Sequence, residues 1–113
     1  MKSVIIFISI LVFASVAHSA EVPCGKLEAV AQNSPGFHPP LSATVKKLGR
    51  TYFHSAPSSH CKESTFIVKG DSVIVYTSYK RWMYVMFVNL KTGEDFSGWV
   101  PEGNLKILGK FHQ

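Results

Sequence analysis

The stretch His-Ser-Ala-Pro-Ser-Ser-His-Cys at 54–61 gathers two imidazoles, His54 and His60, beside a thiol, Cys61. Such side chains could bind a metal or arm a nucleophile, so each chemistry was weighed against its requirements. A zinc site needs about four nitrogen or sulfur ligands at recognisable spacing, and no second Cys- or His-rich half accompanies these three. A nucleophilic cysteine must persist as a free thiolate beside a base, whereas Cys61 is expected in a disulfide. Glu94 and Asp95 are adjacent acids, but they follow Thr92-Gly93 in a turn, where acids are ordinary surface and do not flank a scissile bond as glycosidase carboxylates do. The serines lack a Gly-x-Ser-x-Gly elbow. No metal site and no cofactor is expected, and the chain is expected not to be an enzyme. The residues left with chemistry to offer are those that grip: the indoles Trp82 and Trp99, the tyrosines, and the paired cations Lys80 and Arg81.

The start of the chain implies where that grip is exercised. Residues 1–20 carry one charge at Lys2, an apolar run from Val4 to Phe13 and small residues at the end, the order of a secretory signal peptide. Ala17 and Ser19 suit cleavage after Ser19, and cleavage after Ala20 is the other option. The apolar run is shorter than the ~20 residues a spanning helix needs, so no stable membrane anchor is expected after cleavage. The expected location is the periplasm or the exterior. Only Cys24 and Cys61 are present, and in an oxidising compartment an even count implies pairing. From Glu21 onward eleven Lys and Arg face seven Asp and Glu, with much of the excess at Lys46, Lys47, Arg50, Lys62, Lys80 and Arg81. That balance suits an anionic wall polymer or an acidic protein; nucleic acid, rarely met by an exported protein, is not an expected partner.

About 93 residues then remain, enough for one domain. Residues 21–42 hold Pro35, Gly36, Pro39 and Pro40 and predict an irregular, extended strap, since proline fixes φ and removes a donor. Leu27, Val30 and Ala31 permit one short helical turn before it. Residues 43–113 predict an all-β domain of five to six short strands. The segments 44–48, 51–55, 65–68, 72–79, 82–90, 96–100 and 106–108 supply β-branched and aromatic runs between turn signals. Lys69-Gly70-Asp71 and Thr92-Gly93 mark tight turns, and Lys80-Arg81 is a short connection. The segment at 82–90 is apolar at almost every position, as a curved strand serving two faces would be.

In order along the chain, Gly-Arg-Thr-Tyr-Phe-His-Ser-Ala-Pro at 49–57, Thr-Phe-Ile-Val-Lys-Gly-Asp-Ser-Val-Ile-Val-Tyr at 65–76, Arg-Trp-Met-Tyr-Val-Met-Phe-Val-Asn at 81–89 and the Gly-Trp-Val strand within 92–105 resemble the bacterial SH3-like domain of exported proteins. The resemblance covers about sixty residues and leaves 21–42 outside. It implies a small SH3-like β-barrel in which Gly98 and Trp99 close the barrel. It also implies a shallow ligand-binding groove, here Trp82, Tyr52 and Tyr79 flanked by Lys80 and Arg81. SH3-like domains are binding modules, and members attached to wall hydrolases bind peptidoglycan. The expected function is therefore a non-enzymatic exported module that recognises peptidoglycan, a peptide or an envelope protein through an aromatic groove. The alternative is a periplasmic immunity or inhibitor protein that blocks a wall-degrading toxin or hydrolase, using the loops 56–64 and 91–95 and the N-terminal strap.

Overall fold

A computed structural model describes residues 23–112. The expected export signal at 1–20 lies outside the described residues. The chain forms a helix α1 (Cys24–Ala31) and seven strands: β1 (Gly36–Val45), β2 (Arg50–His54), β3 (Lys62–Val68), β4 (Ser72–Tyr79), β5 (Trp82–Val88), β6 (Asp95–Pro101) and β7 (Leu105–Lys110). Single 3-10 turns at Ser59–Cys61 and Glu102–Asn104 precede β3 and β7. The strands make one open antiparallel sheet in the order β3-β2-β6-β5-β4-β1-β7.

One cluster of buried side chains takes members from every strand: Ala43 and Val45 from β1, Phe53 from β2, Ile67 from β3, Val73 and Val75 from β4, Met83 and Val85 from β5, Val100 from β6 and Leu105 from β7. A flat sheet of this width would hold its outer strands roughly 29 Å apart at ~4.8 Å per step. The sheet is therefore strongly curved, with its concave side packed as the core. Alternation follows from the pleat. On β4, Val73 and Val75 face the core, and a register shift after Val75 sets Thr77 opposite Tyr84; on β5 the buried pair is Met83 and Val85. Trp82, Tyr84 and Met86 take the convex side, which explains why the β5 sequence is apolar throughout. The end of β1 clasps the β3–β4 turn, with Val45 donating to Asp71 (2.9 Å) and accepting from Gly70 (2.9 Å).

Two features of residues 21–42 differ from the irregular strap expected of them. The first eight residues from Cys24 are helical, and Gly36 to Ser42 run without a break into 43–45 as one strand. The prolines stand in β1 because its ladder is interrupted around them. Against β4, Gly36 pairs with Thr77 and the next partners are Leu41 and Val75, with a register shift between. Pro39 and Pro40 fall in that gap, where the missing N–H deprives no ladder bond. This strand also ends earlier than the expected 44–48, at Val45. The sheet has seven strands where five to six were expected, because each of the seven β-prone segments contributes one. No helix among the described residues is long and apolar enough to cross a membrane.

Candidate functional site

The β4–β5 connection is a two-residue hairpin in which Lys80 (φ 41°) and Arg81 (φ 67°) both occupy left-handed backbone. Positive φ at both central residues matches the right-handed twist of the flanking strands, and Asn-Gly is the usual way to achieve it. Here the positions carry two exposed cations. Tyr79 and Trp82 are the pair that closes the hairpin, so their side chains leave the same face of the sheet. The Lys80 ammonium lies 5.4 Å from the Tyr79 ring centroid. On its other side Trp82 pairs with Pro101, and the Arg81 carbonyl accepts from the Glu102 amide at 2.9 Å. Tyr79 and Trp82 are half-buried, fixed at one edge and open at the other.

Behind Trp82 stands His54, with ring centroids 4.7 Å apart and planes at 68°. His54 Nδ1 is 3.1 Å from the Trp99 carbonyl oxygen. A carbonyl only accepts, so Nδ1 carries the proton and donates. Burial holds this imidazole below its ordinary pKa, and contacts with the Trp99 and Tyr52 backbone offset part of the shift. Neutral His54 is a rigid backing for Trp82.

Of the five expected groove residues, Tyr79, Lys80, Arg81 and Trp82 come together at this hairpin, while Tyr52 belongs to a second patch. Tyr52 packs edge-on to Phe66 (centroids 5.7 Å, planes at 64°). The Arg50 guanidinium lies 4.4 Å over the Phe66 ring and donates from Nη1 to the Tyr52 hydroxyl at 3.3 Å, and Lys62 Nζ is 4.7 Å from the Tyr52 ring centroid. The link between patches is β2 itself, where Tyr52 and His54 are two residues apart on one face. In the sequence His54 stood out only for metal or nucleophile chemistry and Arg50 only as part of the basic excess, while Phe66 and Pro101 were not singled out. Alternation along Arg50-Tyr52-His54 was a readable signal; the approach of Trp82 and Phe66 to that strand depends on sheet order.

Gly98 and Trp99 stand at the crossing of β2 and β6. The registered pair between these strands is His54 with Trp99, and a Cβ on Gly98 would lie 3.0 Å from the His54 carbonyl oxygen and 3.2 Å from Phe53 Cβ. A side chain there would force the His54 carbonyl or Phe53 to give way by a few tenths of an ångström. Trp99 is wholly buried, yet it is not part of the concave-side core. It lies under α1 on the convex side, packed edge-on to Tyr84 at 5.4 Å, and its indole N–H donates to the Glu28 carboxylate. The Cys24–Cys61 disulfide, present as expected, ties the start of α1 to the loop before β3. Trp99 therefore serves a second, small core.

The other reactive residues have structural partners or lie apart. Cys61 is bonded to Cys24, His60 is exposed, and the Glu94 amide is capped by the Thr92 hydroxyl at 3.2 Å. Among the described residues no three His, Cys, Asp or Glu converge as metal ligands would. At the far end of β5 a mainly apolar hollow of about 360 Å³ is lined by Ile74, Met86, Val88, Leu90 and Phe111, with Ser42 and Ser72 as its polar members. Compared with family models, curated proteins and solved structures, the chain matches none.

Proposed function

We propose that this chain is an exported, non-enzymatic binding module that recognises a cell-envelope ligand at the tip of the β4–β5 hairpin, and that its curved sheet is an SH3-like barrel of the bacterial type. The observation that carries this reading is the pair Lys80 and Arg81, held in left-handed backbone beside the half-buried Tyr79 and Trp82. Left-handed backbone costs roughly 1–2 kcal/mol for a residue with a Cβ, and strain of this kind gathers at binding sites. Two cations on a backbone-constrained turn beside two aromatic side chains suit a ligand with a carboxylate on an apolar or sugar body, and rigid aromatics bury much area at low entropic cost. The stem peptides and glycan of peptidoglycan have that chemistry, as does an acidic segment of an envelope protein.

The test is sedimentation of the oxidised protein, residues 21–113, with purified peptidoglycan sacculi. Pelleting that survives added salt and is lost in Trp82→Ala and in K80N/R81G supports the wall ligand; two variants are used because Trp82 also packs on His54. Pelleting unchanged in both folded variants would overturn the hairpin site. Protein that stays in the supernatant would favour the inhibitor reading. For that reading the support is the 56–64 loop, held by the disulfide, by Ser55 N–H to the Cys61 carbonyl (2.9 Å) and by His60 N–H to the Ser58 hydroxyl (3.2 Å). A rigid loop of this kind favours tight protein complexes.

A further inference from the structure

We infer that the β3 edge is a second docking surface, independent of the hairpin tip, which takes an extended acidic segment of a partner protein as an added β-strand. β3 is terminal in the sheet, so among the described residues one side of its backbone has no neighbouring strand. The Val68 amide and carbonyl are taken by Asp71 (2.8 and 3.0 Å), and an added strand can use the donors and acceptors that precede them. Pairing with β2 is regular through Arg50–Val68, Thr51–Ile67 and Tyr52–Phe66 and shifts register between Tyr52 and His54, so the regular template is the C-terminal half of β3. Phe66 and Val68 are 40% and 43% exposed on the convex face, where an incoming strand would cover them.

Charge selects the occupant. Arg50 rises from β2 and lies over Phe66, which carries its guanidinium toward the edge, and Lys62 lies over Tyr52 from β3 itself. The Tyr52 hydroxyl reports the resulting field: its pKa is lowered, first by the Arg50 hydrogen bond, which outweighs the opposing desolvation, with smaller lowering effects from the charges of Arg50 and Lys62. Two acids stand nearby. Glu63 alternates to the other face of β3, and the Asp71 carboxylate is engaged by the Val68 amide at 2.8 Å. A second copy of this chain would bring Arg50 and Lys62 against their own kind, whereas a strand with acidic side chains at alternate positions meets both. The opposite edge, β7, exposes Ile107 and Leu108, but among the described residues no cation is seated on a ring there, whereas Arg50 and Lys62 are so placed beside β3.

The experiment uses fluorescent synthetic peptides of about eight residues and anisotropy titration of the oxidised protein. One peptide alternates Glu with Val, one alternates Lys with Val, and one is the acidic peptide with a central proline. The acidic strand-former is expected to bind about tenfold more tightly than the basic one, as two or more exposed ion pairs allow. The proline peptide is expected to lose binding, and R50E/K62E to reverse the preference. K106E/K110E, the same charge change on the other edge, is expected to preserve it. Both pairs of cations are exposed, and near-ultraviolet circular dichroism confirms folding. Equal binding of acidic and basic peptides, full binding of the proline peptide, or a preference unaltered in R50E/K62E would each overturn the proposal. So would dimerisation of the protein through β3.

Discussion

Replacing Cys24 and Cys61 by serine should cost this domain a large part of its stability. The bridge joins residues 37 apart in sequence, and closing a loop of that length removes about 13 cal/mol/K from the unfolded chain, or about 4 kcal/mol at 25 °C. Domains of this size have about 5–15 kcal/mol in total, and each kcal/mol moves the midpoint by about 4–8 °C. The loss should not be uniform. α1 has eight residues, shorter than the ~12–15 at which an isolated helix becomes even marginal in water. Its further anchors are buried Ala31 and the Glu28–Trp99 hydrogen bond. Without the bridge α1 should open first and admit water to Trp99. Urea unfolding of oxidised protein and of C24S/C61S gives the stability difference, and Trp99 emission in a Trp82→Phe background reports the local opening. A loss of less than about 1 kcal/mol, with Trp99 emission unchanged, would refute both the loop-closure estimate and the account of α1 as a tethered cover.

Other outcomes follow from individual contacts. Gly98→Ala should destabilise by about 1–3 kcal/mol, because its Cβ meets the His54 carbonyl and Phe53, whereas Gly103→Ala, with nothing within 4 Å, should be near neutral in urea melts. Glu28→Ala should cost about 1–3 kcal/mol by leaving a buried indole N–H without its acceptor, measured the same way. His54 has a folded pKa below its unfolded value of about 6.5, so its neutral-state stability is intact above that pH and is lost as pH falls toward the folded value. Urea midpoints should therefore drop between about pH 7.5 and about pH 5, and this slope should flatten in His54→Gln. K80N/R81G should stabilise the fold by about 1 kcal/mol or more, since Asn-Gly adopts the left-handed turn with less strain, while it removes ligand binding; a destabilised variant would contradict the turn assignment.

The β-strands, the disulfide and the Gly70 and Gly93 turns were legible because each rests on local signals: alternation, β-branched runs, two cysteines and glycine at positive φ. The first half of β1 was not. Proline is a strong local signal against a strand, and only the pairing register reveals that Pro39 and Pro40 stand where the ladder is broken. α1 was legible only as a possible turn, since its stability comes from the disulfide and from Trp99 rather than from its own residues. The same division runs through the candidate site. Tyr79 to Trp82 could be grouped from sequence because a two-residue hairpin makes neighbours of its flanks. Tyr52 could not be placed, because β2 lies two strands from β5 in the sheet and its ring turns to Phe66. Trp99 looked like an ordinary closing residue, and its burial under a helix on the convex side depends on a contact 71 residues away.

The hairpin site itself is best tested by amide chemical-shift mapping of the oxidised protein titrated with a soluble peptidoglycan fragment that retains its stem-peptide carboxylates. Saturable shifts centred on Tyr79, Lys80, Arg81 and Trp82, extending to His54 and Glu102, are the predicted result. Shifts confined to the 56–64 and 91–95 loops, or none at concentrations where sacculi pellet the protein, would contradict it.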